Sequence, residues 1–308
     1  MGGVAALGAS VSIATNDPTI NTYIGNATVN ATDGSVILRS LNNYDSTGAI
    51  RLDKGSDAYA LAGSGSIFLG AAGAYSEAET SANMDTYIAG GATITVGNDV
   101  SLLSLNNNDA EAISTGAAGG LVGVGVSLGY ATTSGTTQTY IGGADVAAGK
   151  DVEVKASVYS DAAVDTFAAA GGILGGSGND ANAEVSPTVK AEIRSGASIT
   201  AGDDVIVDAM ALVSAKTSTE GISAGLLAVG ASYADSQVNS TVIASVDGPI
   251  TAGSLTVTAR SSAPLATDYT AEAETTGSAG ALVGVDATVS DASATSTVRS
   301  YVADDASL

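Results

Sequence analysis

Three short elements return in the same order about every 53 residues, and that recurrence limits the chain to folds made by stacking similar units. The first reads Thr22-Tyr23-Ile24, Thr86-Tyr87-Ile88 and Thr139-Tyr140-Ile141, then decays to Ala191-Glu192-Ile193, Ala244-Ser245-Val246 and Ser300-Tyr301-Val302. The steps from Ile24 through Ile88, Ile141, Ile193 and Val246 to Val302 are 64, 53, 52, 53 and 56, so the period persists while tolerating insertions. A unit this long cannot bury its apolar face alone and must be covered by its neighbours. That predicts an all-β solenoid (β-helix-like) of about six degenerate repeats, forming one repetitive region over residues 1–308.

The other two elements point to β structure. Val122, Val124, Val126, Leu128 and Tyr130 alternate with Gly123, Gly125, Ser127 and Gly129, a period of two with large residues on one face and tiny ones on the other. The tiny face predicts close approach of a second sheet, because glycine in a strand otherwise only weakens it. In the fourth unit, Gly171 to Asn182 loses its large residues and reads as a loop or distorted strand. The remaining element is a turn and strand, as in Gly149-Lys150-Asp151-Val152-Glu153-Val154 and Gly202-Asp203-Asp204-Val205-Ile206-Val207. Its glycine suits the positive φ of a tight turn, and its β-branched run suits a strand. No stretch shows a capped 3.6-residue period, so no helix is expected. Two coils per unit, each of about 20 to 25 residues, would give about a dozen rungs and a rod of about 60 Å.

Composition narrows the chemistry. The chain is 45% hydrophobic but only 4% aromatic, so its core is Ala and Val packed in many similar layers. Cysteine and histidine are both absent, which excludes disulfides, Cys nucleophiles, Ser-His-Asp triads and the common zinc sites. A net charge of −22 makes nucleic acid and anionic membranes poor partners. No apolar run is long enough for a transmembrane helix. The opening MGGVAALGASVSIA lacks a basic segment and recurs internally, so it is repeat material and not a signal peptide. The chain also opens and closes within a repeat, which suggests a segment of a longer protein that meets adjoining repeats at its ends.

With these elements in view, the chain resembles a known family. The turn and strand around Gly149 and Gly202, the Gly-Gly-Leu-Val-Gly-Val-Gly-Val-Ser run from Gly119 to Ser127 and the Tyr140-Ile141-Gly142 element are similar to the repeat region of filamentous-haemagglutinin-like adhesins, especially the leukotoxin-type filamentous adhesins of Gram-negative bacteria. The resemblance spans nearly the whole chain. It implies a non-catalytic stalk, extracellular or on the bacterial cell surface, that meets glycans or proteins of a host or neighbouring cell.

Candidate sites are few. Gly175-Gly176-Ser177-Gly178-Asn179-Asp180 resembles the calcium-binding nonapeptide of RTX β-rolls, which nominates Asn179 and Asp180 as Ca²⁺ ligands and an RTX-like calcium-binding extracellular module as an alternative function. Asp99, Asp151 and Asp203-Asp204 occupy related turn positions and predict a row of solvated carboxylates, or a cation ladder. Tyr23, Tyr87, Tyr140 and Tyr301 share one repeat position, either as a binding strip or as a seam stacking between units. A β-helical polysaccharide-degrading enzyme would need clustered carboxylates, which the sequence scatters. An outer-membrane β-barrel would need aromatic girdles and an apolar band, which the sequence does not show.

Overall fold

The computed structural model describes residues 3–52, 54–265, 267–304 and 306–307. Among these the chain is all-β, without a helix, and its strands form parallel sheets. The units supply strands in constant order, four in each of the first five and the first two of the four in the sixth, shown by the third: a glycine-rich strand (Val122–Ser134), a Tyr-Ile strand (Thr136–Ile141), a short strand (Asp145–Ala148) and a long strand (Val152–Gly171). Every one of them pairs in parallel with its counterparts one unit earlier and one unit later. Ile24, Ile88, Ile141, Ile193, Val246 and Val302 lie side by side in one ladder, so the sequence period is the pairing register itself.

This register corrects the expected dozen narrow coils. One unit makes one wide turn, and successive units stack at about 4.8 Å, so six units rise only about 24 Å, while a 20-residue long strand spans about 66 Å. A sequence period reports the residues per repeat and does not report how often the chain turns within it. The parallel pairing differs from the antiparallel alternation of strands in an outer-membrane barrel.

Each turn has a thick part and a thin part. In the thick body, the Tyr-Ile strand, the short strand and the first half of the long strand enclose stacked layers such as Ile88, Ile94, Val100 and Leu102, then Ile141, Val146, Val152 and Val154. In the thin blade, the glycine-rich strand lies against the second half of the long strand. A Cβ on Gly125 would strike the carbonyl of Ala169, and one on Gly116 the carbonyl of Val126, so only tiny residues fit between the layers. The predicted close approach is therefore present. Its corollary is that the large residues of the alternation face outward.

Two expectations change. Leu174–Val185 is a regular strand and not a loop, because in-register partners on both sides hold it. The turn glycines Gly97, Gly149, Gly202 and Gly253 lack positive φ, which occurs instead at Gly48, Gly91, Gly135 and Gly196. Gly149 and Gly202 are required for a different reason: each carbonyl of this column points at the next α-carbon, so a Cβ on Gly149 would collide with the Gly97 carbonyl and one on Gly202 with that of Gly149.

The largest differences between turns fall at one place. In the first unit, residues 43–55 stand where the second has only 107–109, between the pairs Asn42↔Asn106 and Ser56↔Ala110. In the fifth, residues 263–270 stand opposite 213–214, between Leu212↔Ser262 and Ala215↔Ala271. Both insertions leave the long strand where body meets blade.

Candidate binding groove

Insertion 43–55 is organised by its own sequence. Tyr44 and Ile50 form an antiparallel bridge, and the Arg51 N–H donates to the Asn43 carbonyl. Asp45 Oδ1 accepts the N–H groups of Thr47 at 2.8 Å and Ala49 at 3.0 Å together with the Thr47 hydroxyl, a local cage that holds its carboxyl below the usual range. Asn43 at φ 55 and Gly48 at φ 87 take the left-handed conformations that the tight hairpin needs. The hairpin is pinned to the second unit by Asn107, whose Nδ2 donates to the Arg51 carbonyl at 3.0 Å and whose own carbonyl accepts from Asn43 Nδ2 at 3.1 Å. Asn106, Asn107 and Asn108 are all fully buried, which breaks the in-out alternation of the strand at this point. Asn106 joins the interior instead, accepting from Asn42 Nδ2 at 2.8 Å and donating to Thr137 at 2.9 Å.

Between this hairpin and the insertion after Ser262 lies an apolar groove of about 340 Å³. Ser157, Tyr159, Met210 and Leu212 form its floor on the outer face of the third and fourth units; Tyr44, Ile50 and Leu52 form one wall, Pro264 and Leu265 the other. Four units therefore cooperate in one site, because the insertions of the first and fifth overhang the strands of the third and fourth.

Two residues beyond the floor, Asp109 and Asp161 sit on adjacent rungs of the same outer face. Burial, then the charges of Asp161, Asp57 and Glu111, push the Asp109 carboxyl up to about 7. Burial also raises Asp161, opposed by the Ser214 hydroxyl, which donates to its Oδ1 at 2.5 Å. Tyr159 is pushed up to about 12, first by burial and then by these carboxylates. Chemically the site is an apolar recess with a pair of carboxyls at its margin, both raised by burial.

The residues nominated from sequence lie elsewhere. Asn179 points into the blade, its Nδ2 donating to the Glu220 carbonyl at 2.9 Å and to Ser232, while Asp180 points outward and accepts from the Tyr130 hydroxyl at 3.0 Å. Neighbours on one strand face opposite ways, so these two do not close on one cation. Among the described residues no group of three or more acidic, His or Cys side chains is arranged to hold a metal.

Tyr23, Tyr87 and Tyr140 stack between units with ring centroids 5.1 and 4.9 Å apart, and the Arg194 guanidinium lies 3.4 Å over the last ring. Glu192 and Ser245 interrupt the column before Tyr301, whose ring centroid lies 5.4 Å from the Arg299 guanidinium. The seam uses ring faces for stacking on each other, leaving edges and hydroxyls outward, with Tyr23 the most open at 59%.

The turn aspartates also have structural partners. Asp99 Oδ1 accepts the Asp151 N–H, Asp151 Oδ1 accepts that of Asp204 at 3.0 Å, and Asp204 Oδ1 accepts the Ser254 hydroxyl at 2.7 Å. Each carboxylate thus satisfies a donor of the next rung.

The groove was not found from sequence. Its signal was present as the long 64-residue first step and the buried Asn106-Asn107-Asn108 run, but only the stack shows that two insertions far apart in sequence flank the same strands. No protein-family model, curated protein or solved structure matches the chain.

Proposed function

We propose that the chain is a β-solenoid segment of a large secreted or surface-displayed bacterial adhesin, a non-catalytic stalk whose apolar groove engages a side chain of a partner protein on a host or neighbouring cell. The observation that carries this reading is the confinement of both large insertions to one site on an otherwise regular stack, where they build a recess lined by Tyr44, Tyr159, Met210, Leu212 and Leu265. Parallel ladders supply stiffness, and interruptions of a regular scaffold are where binding residues concentrate. The apolar lining favours an aliphatic or aromatic side chain over a sugar, whose hydroxyls need polar partners.

The test has two arms. Duplicating the third unit in frame is expected to thicken the particle along the stack by about 4.8 Å in small-angle scattering at unchanged β content; an unchanged thickness would defeat the solenoid reading. Latex beads coated with the chain are expected to adhere to epithelial or bacterial cell layers above an albumin control, and Leu212→Asp is expected to remove that adherence. Equal adherence by the variant would defeat the groove.

A second reading rests on Asp109 and Asp161. A carboxyl held near neutrality beside a second one is the pairing that glycosidases use as acid and partner, here on a β-helix-like surface. The apolar walls and the Ser214 bond to Asp161 favour binding over hydrolysis. Reducing-sugar release from pectin or β-glucan that disappears in Asp109→Asn would establish the enzyme instead.

A further inference from the structure

The blade carries a surface that neither the stalk nor the groove explains. Because its inner layer is restricted to tiny residues, the glycine-rich strands turn their large side chains outward, and these form flat apolar columns across all six units. Leu7, Leu69, Val124, Leu174, Val229 and Val285 are between 39% and 80% exposed. The four columns that start at Leu69, Ala71, Gly73 and Tyr75 contain one charged residue, Asp180, despite the net charge of −22. With strands about 4.8 Å apart and residues about 3.3 Å apart, the patch covers about 600 Å². Single exposed apolar residues are ordinary, but a contiguous patch of this size marks a contact surface and approaches the area that each partner gives to a stable dimer.

We infer that this face packs against the same face of a second copy of the chain. The argument is its self-complementary relief. The third unit presents a ridge, Val124 and Val126, and the fourth presents a trough, because Gly176 and Gly178 occupy the paired positions. The trough is an apolar notch of about 240 Å³ between Val124 and Val229. A two-fold axis in the plane of the contact, parallel to the strands and between the third and fourth units, sets each ridge over the other copy's trough. The same axis puts the second unit over the fifth, where Ala71 and Gly73 meet Val229 and Ala231. Such an isologous contact uses one patch twice, with large residues over small ones where Val124, Val126 and Val229 meet Gly176, Gly178 and Ala71, and with apolar pairs where Leu69 meets Leu227 and Tyr75 meets Tyr233, while Leu128 meets Asp180. The acidic residues Glu77, Asp235 and Asp291 stand one column beyond the patch, at its rim. That acidic border, with no basic residue in the patch, disfavours a lipid surface as the occupant.

The fold permits a clean test. A Cβ on Gly178 meets nothing within 4 Å, and one on Gly176 meets nothing nearer than the Val229 carbonyl at 4.0 Å, so Gly178→Leu fills the trough without disturbing the chain. Sedimentation equilibrium of the full chain at micromolar concentration is expected to give twice the 29.7 kDa chain mass. Gly178→Leu and, separately, Val124→Glu are expected to weaken the dimer at least about tenfold while circular dichroism and melting stay native. A monomeric wild type, or a dimer indifferent to both variants, would overturn the inference. So would co-flotation of the wild type with phosphatidylcholine vesicles that Val124→Glu abolishes, since lipid would then be the occupant.

Discussion

Asp109 is the carboxyl beside the groove that burial and neighbouring charges push up to about 7. Its folded pKa of about 7 lies above the unfolded value of about 3.9, so the folded state holds a proton that the unfolded chain has released. The stability this supplies is complete below about pH 4 and is lost as pH rises through about 7, so the melting temperature is expected to fall between pH 5 and pH 8. Asp109→Asn removes the titration; it is expected to stabilise the chain at pH 8 by about 1 to 2 kcal/mol, after discounting for partial exposure, and to flatten the pH profile. A profile as steep as wild type would assign the effect to other groups. At Gly149 the constraint is steric. Gly149→Ala drives a Cβ into the Gly97 carbonyl and is expected to cost about 2 kcal/mol or more in urea denaturation, where positive φ plays no part. That these positions need glycine was legible in the repeat. The reason was not, because φ and the approach of the next rung are indistinguishable in sequence.

At the scale of the element, alternation of Val and Gly was enough to locate the glycine-rich strands and to foresee a close partner for their small face. The long strand was less legible. Asn106, Asn107 and Asn108 are poor strand formers on propensity, and they are tolerated because the 43–55 hairpin and the neighbouring strands accept from the Nδ2 group of each, although the Oδ1 atoms of Asn107 and Asn108 are buried without a partner. Asn106→Ala strands the Asn42 amide and the Thr137 hydroxyl and is expected to cost about 2 to 3 kcal/mol by denaturant titration, with the loss shared by Asn42→Ala in a double-mutant cycle. Additive losses would show that the two amides act independently. The fourth glycine-rich strand shows the reverse case: its own residues argue for a loop, and its two neighbours impose a strand.

At the scale of the molecule, the stack is held by backbone ladders, small-residue packing and the Asp99–Asp151–Asp204 column, which uses its carboxylates on backbone donors. Calcium is therefore expected to be dispensable: a chelator should leave the thermal midpoint and the β spectrum unchanged, and a loss of structure would restore the RTX-like alternative. The wide, low shape follows from the blade, where Gly and Ala let the two arms of one turn collapse on each other around a thin layer of alanines such as Ala60, Ala62, Ala72 and Ala74.

The sequence by itself determined the β class, the period, the order of the elements within each unit and which face of each strand is small, because pairing in register forces equivalent residues into columns. Only the tertiary structure decided that each period is one turn, that the large residues of the blade face outward, and that residues 43–55 and 263–270 flank one groove beside Asp109 and Asp161. Those outcomes depend on which surfaces meet across the stack, at separations of one to five units, and a local pattern of side chains carries no record of that distance.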